Sequence, residues 1–402
     1  MENQDSSVRV PYALTVFGDE ERAAVADVLK TPMIVPGARV KKFEESIARL
    51  FGKEFGVMVN SGSSANLLAF ELLNLPKGSE VITPVLTFST TLAPIVQKGL
   101  VPVFADVVLD EYTIDINQIE KLITEKTKAL MIPSLIGNIP DYKELKRIKE
   151  KYNLYLIEDS CDTLGAKLFD QPTGVYSDIS TTSFYASHII TAAGSGGMIC
   201  MDKPEWFKRA KTLAGWGRSS AVDESETSEG RFNQMLGDIS YDGKFIFNET
   251  GYNFQSTEIS GAFGLEQLKK FEGWFQMRKQ NFKKVFDFLK KYEQYFILPR
   301  SNPDANAVWL AFPITIREDA PFKRADLVSF LEGRNIQTRP IFTGNVLRQP
   351  GFSNIEHGGI GEYPNTELIM RNALLIGCHQ GLTEEMFEHL FESFDTFIQN
   401  NT

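Results

Sequence analysis

Ser183-Phe184-Tyr185-Ala186-Ser187-His188, running on through Ile189-Ile190-Thr191-Ala192-Ala193 to Gly194-Ser195-Gly196-Gly197-Met198, decides how this chain is read. TTSFYAS and GGMICMD at its two ends are strand-like, so one strand ends in a polar turn and another leaves a Gly-rich one. The polar turn holds His188, one of only four histidines in the chain. Outward from there, strand-like and helix-like segments alternate from about residue 45 to 200. Phe55–Val59 ends at Asn60-Ser61-Gly62-Ser63-Ser64-Ala65, and helix-like NLLAFELLNL follows. EVITPVLTFS reads as a strand entering a loop, TLAPIVQKGL as a helix and VPVFADV as a strand. The helical patterns INQIEKLITEKT and DYKELKRIKEKYN precede the strands KALMIPSL and LYLIEDS. Such alternation with short connections specifies an α/β fold built on a largely parallel sheet.

A chain of 402 residues exceeds one ordinary domain, since domains run roughly 100–200 residues. We expect a large mixed-sheet domain over residues 1–270 and a smaller C-terminal α+β domain over 271–402. A helical pattern over residues 257–296 bridges them, and residues 219–240, polar and acidic, read as a surface loop. Beyond it AVWLAFPITI reads as a strand, RADLVSFLEGR as a helix and IQTRPIF as a strand. The net charge of −10 argues against nucleic acid or an anionic membrane as partner, because both require a cationic face. The three cysteines are widely spaced without a CxxC pair, which points to no metal site and to a reducing cytoplasm. The N-terminus lacks the basic start and apolar run of a signal peptide. No apolar stretch is long enough for a membrane helix, so a cytoplasmic location is expected.

Four local features carry chemistry. Asn60–Ala65 is a Gly/Ser loop opening a helix, which offers N–H groups and hydroxyls to an anion such as phosphate; a Ser-capped helix without ligand has the same sequence. Ile157-Glu158-Asp159-Ser160-Cys161-Asp162 puts acids at the end of a strand, where α/β sheets bind ligands. A carboxylate there can keep a heterocyclic nitrogen protonated, although turn chemistry alone also favours Asp and Ser. His188 is the third feature, against the simpler reading of a structural histidine. The fourth is Gln337-Thr338-Arg339-Pro340 with Gly344-Asn345 and Arg348-Gln349-Pro350, where arginines beside rigid turns suit an anionic ligand or plain surface charge.

The order of these pieces resembles the DegT/DnrJ/EryC1/StrS sugar aminotransferase family over roughly residues 10–395. The matching segments are SGSSAN, TPVLTFSTT, GLVPVFADV, IEDSCDTLGA, SFYASH…GSGGM, GYNFQSTEISGAFGLEQL and QTRPIF. The resemblance implies a fold-type I pyridoxal 5'-phosphate (PLP)-dependent transferase, aspartate aminotransferase-like. It implies that Gly62, Ser63 and Ser183 bind the cofactor phosphate, that Phe88 stacks on the pyridine ring, and that Asp159 pairs with the ring nitrogen. Asp162 would lie near the ring hydroxyl, where aminotransferases usually have glutamine. Asn253 would reach the phosphate from a neighbouring subunit, which makes a homodimer with shared active sites part of the reading.

The departure from the family lies at His188. Ordinary members carry there the lysine that links the cofactor as an imine, and no lysine lies between Ser183 and Met198. Histidine forms no stable imine. The same replacement marks a branch of nucleotide-sugar 3-dehydratases, typified by GDP-4-keto-6-deoxy-D-mannose 3-dehydratase, which SFYASHIIT, EDSCDTLGA, QTRP and GN…RQP resemble closely. One type in that branch carries an iron–sulfur cluster on cysteines after GWGR; here Gly215–Val222 has none. Ser195 stands where the branch usually has glutamate.

The implied reaction uses the amine form, pyridoxamine 5'-phosphate (PMP), on a nucleotide-linked 4-keto-6-deoxyhexose. His188 is the base, the C3 hydroxyl leaves, and a 3,6-dideoxysugar precursor for lipopolysaccharide O-antigen and ammonia are released. Glutamate would restore the amine. Arg218, Arg339 and Arg348 are candidates for pyrophosphate or carboxylate contacts, and GDP is the nucleotide the resemblance favours. The alternatives are an aminotransferase with an unusual histidine base, or a catalytically silent binding protein of this fold.

Overall fold

The computed structural model describes residues 8–221 and 231–401. Its centre is an eight-stranded sheet in the order Phe55–Val59, Gly197–Met201, Ile179–Ser183, Tyr155–Asp159, Thr127–Pro133, Glu80–Pro84, Val101–Ala105 and Gly358–Gly359. Gly197–Met201 runs antiparallel to both of its neighbours, and the remaining pairings are parallel. The sheet is therefore mixed, and the fold is of the fold-type I class. The inner strands are buried apolar runs, as a sheet covered on both faces requires.

Helices Gly62–Leu73, Ser89–Gln97, Ile116–Leu122 and Tyr142–Tyr152 connect the strands and lie where the periodicity predicts them. Gly62–Leu73 is buried along nearly its whole length, with Leu68, Ala69, Phe70, Leu72 and Leu73 packed in a hydrophobic core. The bridging pattern forms one helix, Glu258–Leu289, with a 3-10 turn at Lys290–Tyr292. The expected division at 270/271 falls inside it.

A second sheet of three antiparallel strands, Phe296–Ile297, Phe312–Ile316 and Ala373–Ile376, carries the C-terminal region. Helices Arg324–Gly333 and Glu384–Asn401 accompany it. The main hydrophobic cluster joins both regions, with Phe43, Phe184 and Ile190 packed in one core with Phe312, Leu375 and Phe394. Two expected strands are reduced. AVWLAFPITI is extended only at Phe312–Ile316, and IQTRPIF contributes isolated bridges, Ile336 to Val10 and Arg339 to Leu375.

The acidic surface loop expected over 219–240 is also revised. Residues 222–230 lie outside the described residues, while Gln234–Leu236 and Ile239–Tyr241 pair as a hairpin across Gly237-Asp238. Gly237 adopts φ 66°, the left-handed turn conformation that a two-residue hairpin needs. Among the described residues no helix is long and apolar enough to cross a membrane.

Candidate active site

Seven of the eight strands of the large sheet run in the same direction toward one edge. Beyond their carboxyl ends the chain delivers Ser61-Gly62, Phe88, Leu135, Asp159 to Asp162, and Ser183 to His188. Gly197–Met201 runs the other way and brings its start, Ser195 and Gly196, to the same edge. Together with Arg339, Pro340 and Phe342 these residues enclose a cavity of about 500 Å³, within the range of small-molecule sites. Gly62, Ser63, Phe88, Asp159, Asp162, Ser183, His188 and Arg339 all line it.

The floor is a helix N-terminus. Ser61 caps Gly62–Leu73, its Oγ accepting from the Ser64 N–H at 3.1 Å. The earlier N–H groups of that turn have no acceptor inside the helix and carry its positive dipole end. Gly62 has no room for a side chain, because a Cβ there would lie 2.7 Å from Ser183 Cβ and 2.8 Å from Cys161 Sγ. Ser63 Oγ donates to Thr90 Oγ1 at 2.9 Å. Ser195 is exposed, and its hydroxyl donates to the Asn60 carbonyl at 2.7 Å.

Asp159 is 4% exposed. Its Oδ2 accepts from Asn66 Nδ2 at 2.9 Å and Thr91 Oγ1 at 2.7 Å, and its Oδ1 from the Cys161 N–H at 3.1 Å. These bonds fix the carboxylate in one orientation beside the cavity. Asp162 Oδ2 accepts from the Ile136 N–H at 2.8 Å. Burial raises its pKa to about 7, with the nearby Asp159 charge adding to the rise and the Ile136 bond opposing it.

His188 follows the Ile179–Ser183 strand, and its Nδ1 is buried without a hydrogen-bond partner. Burial lowers its pKa to about 4, opposed by main-chain groups of Ser183 and Cys161 and by the Asp159 charge. The ring is therefore neutral around pH 7. Among the described residues no lysine lines the cavity. Phe88 is 49% exposed and meets Phe342 edge-on at 5.7 Å between centroids. Arg339 is exposed, its Nη1 donating to the Thr338 carbonyl at 2.6 Å.

Three candidates lie elsewhere in the single chain. The Arg218 guanidinium stacks over Trp216 at 4.1 Å, in a separate pocket with Lys211 and Gln255. Arg348 is paired with Glu367 at 2.6 Å. Asn253 is exposed, and its carbonyl accepts from Asn60 Nδ2 at 3.4 Å. None of the three lines the cavity.

The cavity also contains residues that the sequence reading assigned no role. Asn66 and Thr91 sit inside the SGSSAN and TFSTT segments, and Phe342 inside QTRPIF, so the signal was present in the quoted motifs. Tyr12 comes from the N-terminal segment, which carries no motif. Of the cysteines, Cys161 lines the cavity, while Cys200 and Cys378 are buried in the core. Among the described residues no group of three His, Cys, Asp or Glu is placed to hold a metal ion.

The chain is 37% identical to the lipopolysaccharide biosynthesis protein RfbH of Salmonella typhimurium, over 98% of this chain and 92% of that one. It is 35% identical to a dTDP-4-dehydro-2,6-dideoxy-D-glucose 3-dehydratase of Saccharopolyspora spinosa, over 96% and 86%. The structure of the E. coli GDP-4-keto-6-deoxy-D-mannose-3-dehydratase with bound hydrated PLP superimposes with a TM-score of 0.87 and 29% identity, covering 98% of this chain and 100% of that one. The model of the DegT/DnrJ/EryC1/StrS aminotransferase family matches residues 16–395, and the chain belongs to that family.

Proposed function

We propose that this chain is a PMP-dependent 3-dehydratase of nucleotide-linked 4-keto-6-deoxyhexoses, acting without an iron–sulfur cluster. That it is a PLP-dependent, sugar-modifying enzyme follows from its family and relatives. The observation that carries the finer reading is His188: a buried, neutral imidazole whose Nδ1 has no hydrogen-bond partner, in a cavity that among the described residues is lined by no lysine. The related E. coli dehydratase structure, with its hydrated PLP, supports a coenzyme that rests unlinked.

The residues present fit the cofactor. Gly62, Ser63 and Ser183 surround a helix N-terminus that suits a phosphate, and the missing side chain at Gly62 lets Ser183 pack close against that N-terminus. Phe88 offers an exposed aromatic face. Asp159 is oriented by three donors to hold a proton on a ring nitrogen, and Asp162, titrating near neutrality, can share one with a ring hydroxyl. When bound, the amine form supplies a nitrogen that condenses with a ketone and a ring that draws off electrons. His188 accepts a proton at the cavity wall and returns it to the hydroxyl that leaves the sugar. Because imidazole cannot capture the cofactor as an amine does, the nitrogen is lost as ammonia when water enters. Arg339 holds a charged group of the sugar nucleotide or of glutamate, the amino donor. The relatives act on GDP- and dTDP-linked sugars, so the nucleotide is open between them, with GDP our choice.

The same reading makes the enzyme a homodimer in which Asn253 of a second copy completes the phosphate site. Exposed Met33, Ile34 and Val35, and the hairpin residues Met235, Leu236 and Ile239, support a covered face. Arg218 and Arg348 would then serve across that interface. The test is incubation with PLP, glutamate and GDP-, dTDP- and CDP-4-keto-6-deoxy sugars, with ammonia and sugar product measured together. Equal ammonia and 3-deoxy sugar support the proposal. A 4-amino sugar without ammonia would identify an aminotransferase, and failure to bind PLP or PMP a silent binding protein.

A further inference from the structure

Tyr12 lines the cavity with His188, Asp162 and Arg339, although it lies far from them in sequence. The segment that carries it is laced down on both sides. Val10 N–H donates to the Asn335 carbonyl at 3.0 Å, Gln337 N–H to the Val10 carbonyl at 2.9 Å, and Tyr12 N–H to Gln337 Oε1 at 3.2 Å. His379 Nε2 lies 3.0 Å from the Pro11 carbonyl. The Thr15 hydroxyl donates to the Ala186 carbonyl at 2.8 Å, two residues before His188. The strap therefore joins the C-terminal region to the loop that carries the base, and it holds the Tyr12 ring in a fixed place.

The phenol itself is idle. The Tyr12 hydroxyl has no acceptor among the described residues. Tyr12 is half-buried and its hydroxyl faces the cavity, where a donor without a protein partner is open to a ligand or to water. Arg339 lies over the ring, its guanidinium carbon 5.6 Å from the centroid. Burial and the Asp162 charge keep the hydroxyl protonated, against Arg339 and Arg278, so it donates at neutral pH.

We propose that Tyr12 is a substrate-binding residue whose hydroxyl donates a hydrogen bond to an oxygen of the reacting hexose. This rests on the reading of the substrate as a nucleotide-linked sugar. Arg339 already supplies a cation for charged groups; a neutral donor on an aromatic ring adds direction toward an uncharged oxygen. The carboxylate of the amino donor is the other oxygen that could take this bond, and the two half-reactions separate them.

The test is Tyr12→Phe in the full-length holoenzyme, which keeps the ring and removes the hydroxyl. Glutamate-driven conversion of PLP to PMP is followed by absorbance, and the sugar half-reaction by single turnover. Calorimetry gives the affinity of the PMP form for a nucleotide sugar that lacks the ketone. We expect sugar affinity and sugar half-reaction rate each to fall by roughly tenfold, with the glutamate half-reaction within about twofold of the parent. Loss confined to the glutamate half, equal loss in both, or no loss in either overturns the proposal. Whether the parent enzyme makes a deoxy or an amino sugar decides the functional reading separately, since the ratio of the two half-reactions does not depend on it.

Discussion

Acidification is the sharpest probe of His188. Its pKa lies at about 4 against an ordinary 6.5 because the ring is buried. That gap corresponds to about 3 kcal/mol of preference for the neutral ring, at roughly 1.4 kcal/mol per pKa unit. The sign follows from linkage. The folded value lies below the unfolded one, so the folded state binds fewer protons; this contribution is constant above about pH 6.5, and stability is lost as pH falls from there toward about 4. At pH 6, about one ring in a hundred is protonated with the lowered value, against roughly three in four with the ordinary one. Histidine labelled with carbon-13 at Cε1 in the cofactor-free protein reads this directly, with His188→Asn assigning the resonance among the chain's four histidines. The His188 signal should stay still from about pH 8 down to about pH 5.5. A midpoint near 6.5 would refute the burial argument and with it the claim that the base is neutral throughout the working range.

Three further outcomes are expected. His188→Lys should abolish ammonia and 3-deoxy sugar and give some 4-amino sugar; unchanged deoxy product in that variant contradicts the role of the imidazole. Gly62→Ala should destabilise the protein by about 1–3 kcal/mol and shrink the rise in Tm that PLP produces, because the new methyl meets Ser183 and Cys161; an undiminished PLP-induced rise contradicts the phosphate cradle. If Asn253 of one copy serves the cavity of another, mixing inactive His188→Asn with inactive Asn253→Asp protein should restore up to about a quarter of parental activity, since half the dimers are mixed and each has one intact site; no restoration in mixtures shown to exchange subunits would assign Asn253 to its own chain.

Much of the large sheet was legible in the sequence because its strands are short apolar runs separated by clear helical periods, as in Tyr155–Asp159 after Tyr142–Tyr152. Residues that follow a strand, such as Asp159 and His188, could be located because parallel strands converge their carboxyl ends. Contacts made at long range could not. Tyr12 meets the cavity through bonds to Gln337 and by way of Thr15 to Ala186, and nothing local to Val10–Thr15 encodes them. The hairpin at Gln234–Tyr241 was hidden by the acidic composition around it, although Gly237-Asp238 carried the turn signal. Arg339 and Arg348 looked equivalent as charges beside prolines; only the fold gives one a cavity and the other Glu367.

The unlinked coenzyme can be tested in one step. One equivalent of PLP is bound, the complex is reduced with borohydride, and the intact chain is weighed after denaturation. The mass should equal that of the bare polypeptide, because an imidazole has nothing to be trapped. A gain of one phosphopyridoxyl group, mapped to a single lysine, would mean that an amine holds the cofactor after all.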